Sequence, residues 1–490
     1  MTNENRPNIL LIVMDTARAE TVLENKEVMP NFLEFANKGT LFTNAYSTAP
    51  WTLPSHASLF TGQYTSDHGT HAGNKEFDPE VPTLAEKLQS SGYRTVGFSN
   101  NVWISSEFGF GRGFDNLRTS MQLVEGGANL GSIAKEYSGI YEQALAVSKF
   151  LIRRNGHRTL INGLYSKFFR NRYDDGARLT NWWIKRWLSS HKNREEPFFL
   201  FVNYLEPHLE YDPPKEFRYK FKPDGLSRSD LDNVNQDPWS YICDQIEMDQ
   251  QDFEALSALY KAELNYLDYR LGRLFKFLEK KGLLDETVVI LTGDHGENLG
   301  DHGLMDHQYC VYDTLLHVPL IIRYPSTFPE GETFDSLVEL RDIYPTLLDL
   351  ANIPENKTSE TSSNSLLRVV NTGNGRKEVI AQYLHPQPSM KSLRDRVGEL
   401  PNSVLQYDRA LHAVRSKHWK VIEGSDGTEN VYELPDETES VTKDGTNELQ
   451  IDQIIKGLRE TVGNPKKATP STDSDISITK KAQLEDLGYL

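Results

Sequence analysis

Apolar runs and helical patterns alternate along most of this chain. The first run, over 9–14, is continuous and too short to span a bilayer, and it reads as a buried strand. A helix is predicted over 30–37 and a strand over 41–45. Apolar positions Leu84 and Leu88 at helical spacing predict a helix over 83–91, stopped by Gly92, with a strand over 94–98. A strand follows over 197–203. Leu264, Leu267, Leu271 and Leu274 mark one face of a long helix closed by Gly282, and strands are predicted over 287–292 and 318–323. This βα alternation predicts an α/β domain with a mostly parallel central sheet covered by helices on both faces, expected over 1–375.

Two stretches break the rhythm. Between about 111 and 196 the pattern is less regular and richer in Arg, Tyr and Trp, which predicts a helical insertion able to shape a pocket. Beyond 375, short runs over 378–383, 409–414, 419–423 and 430–433 alternate with Gly, Pro and polar turns and predict a small antiparallel sheet within 376–462. The stretch 463–477 has linker composition, and 480–490 reads as a terminal docking helix.

Composition narrows the function classes. The chain has 490 residues, 38% hydrophobic and 25% charged, which fits a globular protein and excludes wholesale disorder. Fifty-three Lys and Arg against 70 Asp and Glu give a net charge of −17, which disfavours a general grip on nucleic acid or anionic lipid. An anionic substrate must then be met by a local site. The two cysteines show no metal-ligand spacing. With no run of about 20 apolar residues and no visible export signal, a soluble cytoplasmic chain is expected.

Candidate chemistry lies at strand ends, where such sheets place their ligands. Asp15 follows the first strand directly; a carboxylate there is either a hard-metal ligand or the cap of the next turn. Asp294 and His295 follow the strand over 287–292, with Gly296 allowing a sharp bend so that both can reach one ion. His302 and Asp306-His307 lie just downstream, so three of the 13 histidines cluster here. In Ala49-Pro-Trp-Thr52-Leu-Pro-Ser55-His56, a helix beginning at Ser55 would set the Thr52 hydroxyl at a helix N-terminus, as a nucleophile or simply as an N-cap.

Six motifs carry a resemblance that covers nearly the whole chain: Arg6-Pro-Asn-Ile-Leu-Leu-Ile-Val-Met-Asp15, Thr52-Leu-Pro-Ser-His56 with Leu59-Phe-Thr61-Gly62, Gly92-Tyr-Arg-Thr95, Glu206-Pro-His208, Asp294-His-Gly-Glu297 and the segment 409–433. In order and spacing they resemble the sulfatase family of the alkaline phosphatase superfamily. The resemblance implies that Asp15, Asp294 and His295 hold one divalent cation (Ca, Mg or Mn), with the nucleophile, here Thr52, as a further ligand. It also implies that His208 meets the ester oxygens or the leaving group.

The chain departs from that pattern in ways that bear on chemistry. Where relatives carry a Cys or Ser oxidised to formylglycine, it has Thr52, expected to stay unmodified. Where they carry Arg it has His56, whose charge titrates near neutrality. Thr16 replaces a second Asp, Ser99, Asn100 and Val102 fall where basic residues are usual, and His307 replaces a lysine. The expected activity is metal-dependent hydrolysis of a sulfate or phosphate ester of a small molecule or glycan. His56 and Asn74 or Asn100 would donate to the ester oxygens, and His208 or His307 would assist the leaving group. A phosphodiesterase or phosphotransferase of the same superfamily, and a silent binder of sulfated or phosphorylated glycans, are the alternatives.

Overall fold

In a computed structural model of the chain, residues 6–119, 175–190, 196–354, 364–443 and 447–470 are described. Most of the expected 111–196 insertion and the 480–490 helix lie outside these residues. Of the insertion, the strand Asn116–Thr119 and the amphipathic helix Ala177–Ser190 are described.

The chain order of strands is β1 Asn8–Met14, β2 Thr40–Tyr46, β3 Arg94–Ser99, β4 Asn116–Thr119, β5 Phe198–Tyr204, β6 Thr287–Gly293, β7 Asn298–Leu299, β8 Met305–Asp306, β9 His317–Arg323, β10 Thr333–Phe334 and β11 Val338–Glu339. Nine of them form one sheet in the order β10-β2-β9-β6-β1-β5-β3-β4, with β11 also pairing β2, while β7 and β8 make a separate hairpin. The run β6-β1-β5-β3-β4 is parallel, and β9 is antiparallel to both β6 and β2.

β1 is continuous in apolar residues because both of its faces are covered. Ile9, Leu11 and Val13 point into one core with Phe201, Ile290 and the helix Thr52–Thr61; Leu10, Ile12 and Met14 point into the other with Leu200, Val289 and the helix Gln250–Lys280. That long helix starts at a capping box between Asp249 and Asp252. It packs close to the helix Pro30–Ala36 at Gly272, where a Cβ would lie 2.3 Å from Asn31 Oδ1.

Beyond the main sheet, β12 Val379–Tyr383, β13 Leu411–Arg415, β14 Trp419–Gly424 and β15 Glu429–Glu433 form an antiparallel sheet in sequential order. The sheet expected over 376–462 gives way at its end to a helix, Glu448–Val462, whose Ile451, Ile454, Ile455 and Leu458 pack on Val414, Val421 and Val431. Lys420, fully buried on β14, bonds Asp313 Oδ1 at 2.7 Å and Glu437 Oε1 at 2.6 Å, and Arg415 bonds Asp313 Oδ2 at 2.8 Å. A buried ion network of this kind tolerates little movement, so the small sheet anchors the segment that follows the β7–β8 hairpin.

Candidate active site

The site follows from the register of the parallel strands. β1 and β6 pair so that Met14 faces Gly293, and β1 and β5 so that Met14 faces Tyr204. Asp15 and Asp294 therefore leave the same edge of the sheet on neighbouring strands, with His208 just beyond β5 and Asn101 just beyond β3. Asp15 N still donates to Tyr204 O at 3.0 Å before the chain turns away through Thr16 at φ 58°.

Asp15, Asp294 and His295 each offer a ligand atom within 4.8 Å of the others, and all three are buried. His295 Nε2 lies 3.7 Å from Asp15 Oδ1 and 3.6 Å from Asp294 Oδ2. Its Nδ1 is 2.8 Å from Gly296 O, so with the proton on Nδ1 the Nε2 lone pair faces the carboxylates. Asp294 Oδ1 accepts from the backbone N–H of Thr16 and His295, whereas Asp294 Oδ2 is buried and accepts no hydrogen bond. Burial pushes the Asp15 carboxyl up to about 7, and burial together with the Asp15 charge pushes Asp294 well above the usual range. Two crowded buried carboxylates, an orphaned oxygen and an aimed imidazole nitrogen fit a hard or borderline divalent cation.

Thr52 is the first residue of the helix Thr52–Thr61, which begins three residues before the expected start at Ser55. Its Oγ1 lies 3.2 Å from His295 Nε2, 3.4 Å from Asp15 Oδ1 and 3.4 Å from Asn101 Nδ2. Ser55 instead faces the backbone, donating to Asp294 O at 2.7 Å.

Three expected ester-oxygen donors are placed elsewhere. His56 is fully buried; Nδ1 is 2.9 Å from Thr52 O, Nε2 is 3.1 Å from Asn203 Nδ2, and Phe201 and Phe110 meet the ring edge-on. Burial lowers its pKa to about 4, so it is a neutral spacer under Thr52 and not a charge offered to an anion. Asn74 clamps its own turn, donating from Nδ2 to Gly69 O at 2.9 Å. Asn100 turns away, its Oδ1 accepting from Thr180 at 2.8 Å. The amide that reaches the cluster is Asn101, one residue on, whose Nδ2 donates to Asp15 Oδ2 at 2.7 Å. Its position past a buried strand was the available signal.

His208 and His307 stand together, ring centroids 5.1 Å apart, and His307 is 4.6 Å from the His295 ring. Burial, then the His307 charge, lowers His208 to about 4. Burial also opposes charge on His307, but Asp306 and Glu297 outweigh it and hold its pKa well above the usual value. His302 lies apart, stacked on Tyr312 at 3.6 Å.

Comparison with known proteins agrees with this frame. The sulfatase family profile matches residues 7–353, and the profile described as N-sulphoglucosamine sulphohydrolase, C-terminal, matches 300–464. The chain belongs to the sulfatase family. It is a member of a family of ester hydrolases, with the alkaline phosphatase-like fold. An arylsulfatase of Clostridium perfringens is 28% identical over 373 residues, covering 71% of this chain and 75% of that protein. An N-acetylglucosamine-6-O-sulfatase of Bacteroides thetaiotaomicron is 27% identical over 391 residues, 71% of this chain and 68% of that one. Among solved structures, the phosphonate monoester hydrolase of Agrobacterium radiobacter superposes with a TM-score of 0.69 at 20% identity, over 96% of this chain and 98% of that one. A protein solved in complex with its substrate D-glucosamine-2-N,6-O-disulfate superposes with a TM-score of 0.66 at 19% identity, over 93% and 97%.

Proposed function

We propose that this sulfatase-family protein hydrolyses sulfate or phosphate esters of a sugar or small-molecule alcohol, with unmodified Thr52 as the nucleophile and Asp15, Thr52, Asp294 and His295 holding a divalent cation. The observation that carries the reading is the position of Thr52 Oγ1, 3.2 Å from His295 Nε2 and 3.4 Å from Asp15 Oδ1. A cation bound there would lower the hydroxyl pKa and neutralise an ester oxygen.

Thr52 Oγ1 attacks sulfur or phosphorus, the bond to the alcohol oxygen breaks, and the group passes to Thr52. The Thr52 hydroxyl proton leaves to solvent as the group transfers, and His208, beside His307, protonates the departing alcohol oxygen. Water then cleaves the Thr52 ester, giving its proton to the same ring. Asn101, bonded to Asp15, holds the carboxylate and the hydroxyl in mutual register. A silent glycan binder would have no use for two carboxylates crowded together at this depth.

The test is a parallel assay of p-nitrophenyl sulfate, p-nitrophenyl phosphate, phenylphosphonate monoester and bis(p-nitrophenyl) phosphate with Mn²⁺, Mg²⁺, Ca²⁺ or chelator. Turnover that needs a cation and vanishes in Thr52→Ala is expected, and the preferred ester defines the reaction class. Turnover indifferent to chelation or to Thr52→Ala would overturn the reading.

A further inference from the structure

Two histidines outside the cation cluster meet where the main domain joins the small C-terminal sheet. His71 opens a tight turn closed by two backbone bonds with Asn74, and His385 lies just past β12. Both loops are tied to the surroundings of Thr52. His68 Nδ1 accepts from Thr70 N at 3.1 Å, so its Nε2 carries the proton and donates to Ser58 Oγ, 3.1 Å away on the helix Thr52–Thr61. Lys75 sits 5.1 Å over the Trp103 ring, and Trp103 N donates to Asn101 Oδ1 at 2.9 Å. β12 runs beside the segment that leads to Thr52: Gln382 N donates to Thr48 O at 2.9 Å, and Gln382 Oε1 accepts from Ser66 N at 2.9 Å. Past His385, Pro388 O accepts from Tyr309 Oη at 2.7 Å, two residues beyond His307.

The two rings come together at Gly73, where a Cβ would lie 3.1 Å from His385 Cδ2 and 3.2 Å from His71 Cε1 and crowd both. A backbone N–H can only donate and a carbonyl can only accept, which fixes both tautomers. His71 Nδ1 accepts from Gly73 N at 3.0 Å, so its proton is on Nε2. His385 Nδ1 lies 3.0 Å from Pro386 O and donates to it, so its Nε2 is a bare lone pair. Burial, then the neighbouring His385, lowers the pKa of His71 to about 4, and burial lowers that of His385, so both rings are neutral near pH 7. Among the described residues neither Nε2 has a hydrogen-bond partner. One loop therefore presents a donor and the other an acceptor, each held in that state by its own backbone.

We propose that His71 and His385 bind the alcohol part of the substrate, His71 Nε2–H donating to, and His385 Nε2 accepting from, neighbouring hydroxyls of a sugar ring. The inference rests on the ester-hydrolase reading above and names the substrate class within it. Hydroxyls both give and take hydrogen bonds, so they satisfy the two nitrogens together. A carboxylate or a second sulfate could use only His71 and would meet the lone pair of His385, and an aryl group would leave both polar atoms unmatched. Because the rings come from the two sides of the domain junction, the subsite exists only when the C-terminal sheet is docked.

The test compares two leaving groups. The unaltered chain and the variants His71→Phe, His385→Phe, His71→Gln and His385→Gln are assayed on a p-nitrophenyl ester of the preferred acid, sulfate or phosphate, and on the positional monoesters of glucose and galactose with that acid. In the unaltered chain at least one sugar ester is cleaved. In either Phe variant its kcat/KM relative to that of the aryl ester falls about tenfold, and Gln, whose amide supplies a nitrogen donor and an oxygen acceptor, recovers most of the loss. On the deoxy analogue lacking the hydroxyl next to the ester, the Phe variants bring no further loss, as expected of partners in one contact. Equal losses on both kinds of ester, or none on the sugar ester, overturn the subsite, as does an unaltered chain that cleaves the aryl ester and no sugar ester. Aryl-ester turnover that survives Thr52→Ala or chelator, or no cleavage of any of these esters, overturns the reading on which the subsite rests, and does so in a chain whose His71 and His385 are intact.

Discussion

Asp15 and Asp294 are brought side by side by strand register: each follows one member of the Met14–Gly293 pair across parallel β1 and β6. Their proximity is imposed by the sheet, so it persists whether or not a cation separates them. In chelated protein the consequence is a pH-dependent liability. Burial raises Asp15 to about 7 from 3.8, so between those values the folded chain holds a proton that the unfolded chain releases. Stability of the metal-free protein should therefore fall as pH rises from about 4 through 7, by a few degrees in Tm, and added Mn²⁺ should reverse the slope. Thermal melts across that range with and without chelator check it; a metal-free Tm that climbs with pH would contradict it.

Thr52→Ala should lower turnover by at least about 10³-fold while calorimetry still detects metal. Mass spectrometry of the peptide bearing Thr52 should give the unmodified mass. An oxidised residue there would restore a formylglycine route.

His56 is enclosed, with a pKa near 4, so its charge has no part in the rate above pH 6. His56→Ala should cost about 2–4 kcal/mol of stability through the cavity and the lost bonds to Thr52 and Asn203. The shape of the pH–rate profile between about 6 and 9 should stay the same. A new alkaline limb in that variant would return His56 to the reaction.

Adjacent asparagines should behave differently. Asn101→Ala removes the donor to Asp15 Oδ2 and should lower kcat/KM or metal affinity about 10–100-fold. Asn100→Ala loses the bond from Thr180 and should leave the rate within about twofold, with about 1 kcal/mol of stability gone. Equal losses of activity would mean that the strand end is positioned differently in solution.

His208→Ala should slow esters with poor leaving groups most, since these need the donated proton. A Brønsted plot against leaving-group pKa should steepen; an unchanged slope would move proton transfer to another group.

Strand ends carried most of what the sequence could reveal. Asp15 and Asp294 each close an unbroken apolar run, and a charge at the mouth of a strand buried on both faces is visible in one dimension. Asn100 and Asn101 show the limit. Successive residues past a strand point in opposite directions, so an error of one position selects the side chain facing Thr180 in place of the one facing Asp15. Local turn bonding decides where Asn74 points and aromatic packing where His56 points, and neither is encoded in spacing. The helix Glu448–Val462 was legible in the spacing of Ile451, Ile454, Ile455 and Leu458, yet it was masked by the turn-rich composition before it.

The crossing order of the main sheet also bears on biosynthesis. β1 is made before both of its flanking neighbours, since β5 and β6 begin only at residues 198 and 287. A nascent chain thus holds this apolar strand without β5 until residue 204 and without β6, and so without Asp294 beside Asp15, until residue 293. Cation binding cannot assist those early stages. A cation held by Asp15 and Asp294 would reward only the completed sheet, so it would lengthen the lifetime of the finished protein and leave the early stages of its folding untouched.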